Sequence, residues 1–315
     1  MTDTPSAREI QRAVVDTYGA RARAVLASAG APPTADACCA PASAEDAAAG
    51  ACCSPAASMT AASAAQPMSV SFQAAAASAP TADESCCGPD CCDGSAQAAS
   101  EGNPAAGQQF GAALYEATDV SALPESVVAA SAGCGNPLAI AALRPGERVL
   151  DLGSGGGIDC FLAARQVGEA GEVWGLDMTP DMVALARHNA GEVGLENVRF
   201  RLGEIEDIPF EEGRFDVIMS NCVINLSADK PRVFREAFRV LAAGGRLGVS
   251  DMVQVGELSE GQRASLDQWA GCIAGALPLE DYLDAIRAAG FVQVEAQHEA
   301  TAPGVVSAYL TARKA

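Results

Sequence analysis

Twelve cysteines in 315 residues are the first sign of chemistry in this chain. Eight come as vicinal pairs, at 38–39, 52–53, 86–87 and 91–92, and the stretch SCCGPDCCDGS puts Cys86, Cys87, Cys91 and Cys92 within seven positions. Paired thiols of this kind could form a disulfide framework, a zinc knuckle or a trap for something softer than zinc. Their spacing is not the usual C-x2-C of structural zinc, and no small fold is evident around them. Capture of a soft metalloid or a redox relay is the favoured reading, with adventitious metal binding and a passive linker as rivals. The other four cysteines lie in richer surroundings. Cys134 sits in AASAGCGNP, a glycine-flanked turn, Cys222 in MSNCVINLSADK and Cys272 in WAGCIAGAL. Cys222 belongs by position just beyond the carboxyl end of an expected strand, where open α/β sheets bind ligands, and the other two lie in connections that could fold over that edge. Cys160 follows a glycine loop on an expected helix and has no similar claim. A single cysteine is most often a small buried hydrophobe, so from position alone ligation and packing both remain open.

A second cluster is DLGSGGG, Asp151 to Gly157. Glycines at a strand–helix turn allow a tight bend and close backbone approach to a ligand. The dinucleotide fingerprint G-x-G-x-x-G would need glycine at position 158, which is Ile158. The pattern is instead G-x-G-x-G after an acid. It resembles motif I of S-adenosylmethionine-dependent methyltransferases. Asp177 ends the next strand, where a carboxylate can accept hydrogen bonds from both hydroxyls of a ribose. That cofactor has no phosphates, so the loop needs no basic partner, and none is present.

These residues must be positioned by a parallel sheet. RVLDLG (148–153), EVWGLDM (172–178), VRFRLGE (198–204), FDVIMSN (215–221) and RLGVSDMV (246–253) read as strands. Helical patterns lie between them over 158–167, 180–194 and 229–241, the last closed by Gly244-Gly245, and a further helical stretch runs to about Ala289. FVQVEAQ and VVSAYLTARK follow as two alternating strands that suggest a closing antiparallel hairpin. The fold class is α/β, doubly wound and Rossmann-like. Ile10, Ala13, Val14 and Tyr18 predict an N-terminal helix over 1–28. Residues 29–108 are rich in Ala, Ser, Pro and Gly, carry all eight paired cysteines, and read as a disordered linker. Residues 109–315 read as the folded domain.

Composition excludes several classes. Lys plus Arg number 20 against 40 Asp plus Glu, a net charge of −20, and no basic residue occurs between Arg23 and Arg144. Phosphate-backbone binding relies on Lys and Arg, so neither nucleic acid nor an anionic membrane is an expected partner. The start has no apolar signal region, and no apolar run of about 18 residues suggests a membrane helix. The expected compartment is the cytoplasm, where cysteines stay reduced and a structural disulfide framework is not expected. A monomer is the default. His188, on an expected helix, and His298, near the hairpin, read as surface residues.

Beyond motif I, LPESVVAASAGCGNP, VLDLGSGGGIDC, GLDMTPDM, GEIEDIPF, SNCVINLSADK and WAGCIAGAL together resemble the arsenite S-adenosylmethionine methyltransferases, particularly the shorter bacterial branch. The similarity runs from about Tyr115 onward, and the opening helix with its DTYG looks like the family's N-terminal element. The resemblance implies methylation of trivalent arsenic for detoxification, with Cys134, Cys222 and Cys272 as arsenic ligands and residues 254–290 contributing to that site. It places the cofactor against Asp151, Gly153, Ser154, Gly155, Asp177, Met178, Ile205, Glu206 and Asn221. Soft trivalent arsenic suits thiolates, and arsenic held by three sulfurs has no proton to lose, so no general base is needed. Methylation oxidises the arsenic, and two electrons from a cysteine pair would restore it. In this family an N-terminal cysteine is thought to pair with the counterpart of Cys134, reset by thioredoxin or glutathione. The partner here would lie among Cys86, Cys87, Cys91 and Cys92. One departure is Ser131-Ala132, where animal and algal members carry aromatic residues. Two rival readings are a metalloid-sequestering thiol protein and a small-molecule C- or O-methyltransferase, the latter indifferent to the core cysteines.

Overall fold

The computed structural model describes residues 5–29, 114–255, 275–298 and 304–315. The eight paired cysteines and Cys272 lie outside them. Helix α1 (Ala7–Ser28) starts at a capping box: the Ser6 hydroxyl accepts from Glu9 N, and the Glu9 carboxylate accepts from Ser6 N at 2.8 Å. Ile10 and Val14 of the expected stripe are buried, Ala13 and Tyr18 are half-buried, and Ala22 and Val25 extend the buried face toward the end of the helix. Among the described residues the short helices α2 (Ala117–Val120), α3 (Glu125–Ala130) and α4 (Leu138–Ala141) precede the sheet. Sequence periodicity gave no sign of them, because four to six residues are too few to show one.

Among the described residues seven strands form one sheet in the order β3-β2-β1-β4-β5-β7-β6. They are β1 (Arg148–Leu152), β2 (Glu172–Asp177), β3 (Val198–Leu202), β4 (Phe215–Asn221), β5 (Leu241–Val255), β6 (Val292–His298) and β7 (Gly304–Arg313). The first five pair in parallel, and β7 runs antiparallel to both β5 and β6. The expected hairpin is therefore present, with the later strand on the inside. Helices α5 (Ile158–Val167), α6 (Pro180–Val193), α7 (Lys230–Val240) and α8 (Leu279–Ala288) cover the faces.

Strands buried on both sides make this possible. Leu150 and Leu152 of β1 belong to a core with Phe234 and Val240 of α7 and with Tyr282 of α8. Val149 of the same strand points to the opposite core with Phe161 and Ala164 of α5 and Val183 of α6. The alternation is the period of two that a strand imposes. One boundary differs from expectation. Strand β5 begins at Leu241 rather than 246, and its pairing jumps from Phe215↔Leu241 to Val217↔Arg246. Gly244, at φ +75°, lies in that irregularity, so the glycine pair breaks the register of a strand as well as following a helix.

Candidate functional site

The carboxyl ends of β1, β2 and β4 open onto a cavity of about 380 Å³, within the usual range for a small-molecule site. Gly153, Ser154 and Gly155 line it, as do Asp177 and Met178 at the end of β2. Ile205 and Glu206 contribute from the loop after β3, and Asn221 and Cys222 from the end of β4. The loop is held in shape by its neighbours. Gly153 N and Ser154 N donate to Leu176 O at 2.7 and 3.0 Å. Gly155 N donates to one Asp177 oxygen at 2.9 Å and Thr179 N to the other at 2.8 Å. Gly153 has φ +73°, and a Cβ there would overlap Val223, so this position requires glycine.

Asp151 is a correction. It does not line the cavity: alternation along β1 turns it toward α5, where its buried carboxylate accepts from Cys160 Sγ at 3.3 Å. Burial, followed by the charge of Asp159, drives its pKa well above the carboxylate range. Burial drives the Cys160 thiol up too, reinforced by Asp151. Cys160 is thus a packed hydrogen-bond donor on α5.

Two cavity components escaped the sequence reading. Asp159, in the first turn of α5, lines the cavity and accepts from the Tyr115 hydroxyl at 2.7 Å and from Asn221 Nδ2 at 3.2 Å. Burial raises its pKa to about 6 against those two hydrogen bonds. GGGIDC carries this acid in plain view, but only the three-dimensional network gives it a role. The second component is α1, whose Gln11, Val14 and Tyr18 wall the same cavity. Gln11 Nε2 donates to Glu204 at 2.7 Å, Arg21 donates to Ser131 O at 2.7 Å, and Arg23 pairs with Asp181 of α6.

The acidic lining fits a cationic cofactor without phosphates. Asp159, Asp177, Glu204 and Glu206 line the cavity, and the buried Ser154 hydroxyl has no hydrogen-bond partner among the described residues. A sulfonium nucleoside that carries an ammonium group offers both the positive charge and the hydroxyls that such a lining lacks.

Cys222 and Cys134 meet at the edge of this cavity and are joined as a disulfide, with their Cα atoms 5.7 Å apart. Sequence reasoning expected reduced thiols here and a linker cysteine as the partner of Cys134. The structure pairs it with Cys222, because β4 and the Gly133–Gly135 turn end side by side. Asn221 arranges this: its Oδ1 accepts from Cys134 N at 3.1 Å and Gly135 N at 3.2 Å, and its Nδ2 lies 2.8 Å from Gly135 O. The flanking glycines leave no alternative. A Cβ at Gly133 would overlap the Asn221 amide, and one at Gly135 the Ser250 hydroxyl. Ser307 Oγ on β7 donates to Cys134 O at 2.9 Å. Cys222 has φ +58°, an unusual conformation for a side-chain-bearing residue, fixed by its N donating to Ser250 O at 2.8 Å. Ile10 and Val14 of α1 pack over the pair with Met252 and Val305.

His298 is exposed. His188 is half-buried on α6, 3.8 Å from Glu192, so neither histidine belongs to the site. No described helix is long and apolar enough to cross a membrane.

Comparison with known proteins follows the same lines. The family described as "Methyltransferase domain" matches residues 143–300. An arsenite methyltransferase of Halobacterium salinarum is 47% identical over 181 residues, 58% of this chain and 46% of the relative. One of Aquipseudomonas alcaligenes is 45% identical over 166 residues, 50% of this chain and 47% of the relative. The chain spans about half the length of these curated relatives. The crystal structure of an arsenic(III) S-adenosylmethionine methyltransferase from Chlamydomonas reinhardtii superposes with a TM-score of 0.54 at 36% identity, covering 62% of this chain and 71% of that one.

Proposed function

The chain belongs to the methyltransferase-domain family, and from that premise we propose that it methylates trivalent inorganic arsenic, as the names of its arsenite methyltransferase relatives suggest. One observation carries the reading: the sulfur pair Cys134–Cys222 shares a wall with the cavity of the glycine loop. A general C- or O-methyltransferase has no use for that arrangement.

S-adenosylmethionine would be held by the Gly153–Gly155 loop and Asp177, with Ile205 and Glu206 alongside, and supplies an electrophilic methyl group. Asp177 keeps lone pairs for two ribose hydroxyls after accepting its two backbone hydrogen bonds. Asp159 offers a carboxylate to the ammonium end. The substrate side belongs to the cysteines. Arsenous acid exchanges each hydroxyl for a thiolate and releases one water per sulfur. Cys134 and Cys222 supply two sulfurs, and Cys272 the third. Holding arsenic against one face of the cavity is then most of the catalysis, because a correctly oriented nucleophile needs little further assistance. The disulfide form cannot bind arsenic. A thiol reductant, thioredoxin or glutathione, must first deliver two electrons and two protons to the pair. The paired cysteines of the linker would act in capture or in this exchange. Arsenic detoxification in the cytoplasm is the corresponding biological role.

The test is incubation with arsenite, S-adenosylmethionine and a thiol reductant, followed by separation of arsenic species with elemental mass detection. Methylated arsenic is expected from the parent chain and none from Cys222→Ser. Equal methylation by both would refute the assignment. Undiminished metalloid binding without any product would favour sequestration instead.

A further inference from the structure

Beside the cysteine pair stands a buried acid for which the reaction above has no use. The Asp251 carboxylate lies within 4.8 Å of both Cys134 Sγ and Cys222 Sγ, and all three residues are buried. Strand β5 carries it one position beyond Ser250, whose carbonyl accepts from Cys222 N. The carboxylate is fixed from three sides. Oδ1 accepts from Met252 N at 2.9 Å, and Oδ2 accepts from Asn225 N and the Tyr282 hydroxyl, both at 3.0 Å. Among the described residues Oδ2 thus accepts two hydrogen bonds and Oδ1 one, which leaves Oδ1 a lone pair.

We propose that reduced Cys134, reduced Cys222 and Asp251 together bind a thiophilic divalent cation of the zinc and cadmium class. Three arguments support a dication at this point. The first is geometry. Metal–sulfur bonds of about 2.3 Å and metal–oxygen bonds of about 2.0–2.2 Å set tetrahedral donors roughly 3.5–3.8 Å apart; a carboxylate oxygen already stands within 4.8 Å of both sulfurs while they are bonded to each other, and reduction frees the sulfurs to part to that spacing. Cys222 also lines the cavity, so the cluster borders open space on that side. The second is charge. Two thiolates and a carboxylate carry three negative charges in a buried place. The ammonium of Lys230, itself buried and donating to Ser227 O at 2.9 Å, acts electrostatically on Asp251. A dication and Lys230 together balance those three charges. The third is softness. Trivalent arsenic prefers sulfur throughout, whereas zinc and cadmium accept mixed sulfur and oxygen donors. Asp251 is therefore a ligand for the cation and a bystander for arsenic, and the two compete for the same two sulfurs.

Loading begins from the disulfide. A trialkylphosphine and one water convert it to two thiols and a phosphine oxide, and the incoming dication displaces the two thiol protons to solvent. The inference is independent of arsenic methylation, since its test uses the cation alone.

The experiment takes the full-length chain with its eight paired cysteines replaced by serine, reduced with phosphine and titrated with isotopically enriched cadmium-113. One ion per chain is expected, with a nuclear resonance in the range of two sulfurs plus oxygen. That reading needs no change at position 251. Asp251→Asn should weaken cadmium at least ~10-fold, since removing a direct ligand costs no less than removing its outer support. Cys134→Ser should do the same, whereas Cys272→Ser, which removes the third sulfur of the proposed arsenic site, should leave cadmium affinity where it was. An all-sulfur resonance abolished by Cys272→Ser would overturn the proposal. So would undiminished cadmium affinity in a folded Asp251→Asn chain.

Discussion

Asn221→Ala tests the idea that one amide holds the thiol turn against the cofactor cavity. In the native chain Asn221 Oδ1 accepts from Cys134 N and Gly135 N, while Nδ2 reaches Gly135 O, the Tyr115 oxygen at 3.0 Å and Asp159 at 3.2 Å. Truncation leaves two buried backbone donors without partners, at about 1–3 kcal/mol each, and removes a hydrogen bond to a buried carboxyl worth about 1.5 kcal/mol or more. Water entering the void returns part of this. The expected loss is about 3–5 kcal/mol, a large share of the roughly 5–15 kcal/mol that a domain possesses. Urea unfolding measures it. The second readout is the rate at which the reduced Cys134 and Cys222 form their disulfide, followed by peptide mass mapping, which should fall because Cys134 is no longer held in place. Asn221→Asp keeps the two accepted bonds but sets a carboxylate against Asp159. Its deficit should be largest at neutral pH and shrink as the pH falls and the acids protonate. A loss below ~1 kcal/mol in Asn221→Ala, with unchanged disulfide formation, would refute the reasoning.

Asp159 has a folded pKa of about 6 against about 3.9 in an unfolded chain. The folded state therefore binds the proton more tightly, and stability falls as pH rises from about 4 to about 6, by about 3 kcal/mol in all. Asp159→Asn removes this dependence, so the difference in stability between the two chains should change by that order between pH 4 and pH 7.5; parallel curves in denaturant titrations would contradict the pKa. Gly135→Ala drives a methyl into Ser250 and should cost at least ~1–3 kcal/mol. Ser250→Gly in the same chain should restore part of the melting temperature, and no recovery would mean that the contact is not the cause. Val14→Asp buries a charge among Cys134, Cys222 and Met252. It should release α1 to proteolysis and weaken cofactor binding while the sheet stays folded; continued protection of α1 would show that its docking lies elsewhere.

Much of this architecture was legible in the sequence because its determinants are local. Strands such as RVLDL and FDVIMSN are short, apolar and bounded by glycine or polar turns, and the helices between them carry a clear stripe. The glycine loop and Asp177 were legible for the same reason, since turn chemistry and an acid at a strand end lie in adjacent residues. What stayed hidden depends on residues that meet only after folding. Tyr115 and Asp159 are 44 positions apart and joined by one hydrogen bond, and nothing in α1 announces that Gln11 and Tyr18 wall a cavity whose other lining residues run from Val127 to Arg232. Asp151 misled because its motif suggests a ligand contact, while the twofold repeat of β1 turns it to the opposite face. The Cys134–Cys222 bond could not be read either, because spacing along the chain says nothing about which two turns come to rest against each other.

The placement of β7 between β5 and β6 has a consequence for how the protein is made. On the ribosome β6 emerges before β7, yet its neighbour in the sheet is the strand still to come. Until residues 304–313 are synthesised, β5 presents an unpaired edge and β6 has nothing to join. The hydroxyl of Ser307 and the side chain of Val305, which complete the surroundings of Cys134, arrive on that same strand. A nascent chain stalled before β7 would thus carry a finished glycine loop and both cysteines, an open sheet edge prone to pairing with other chains, and no enclosed thiol site. Enclosure of the cysteine pair is in this way deferred until β7 has been made.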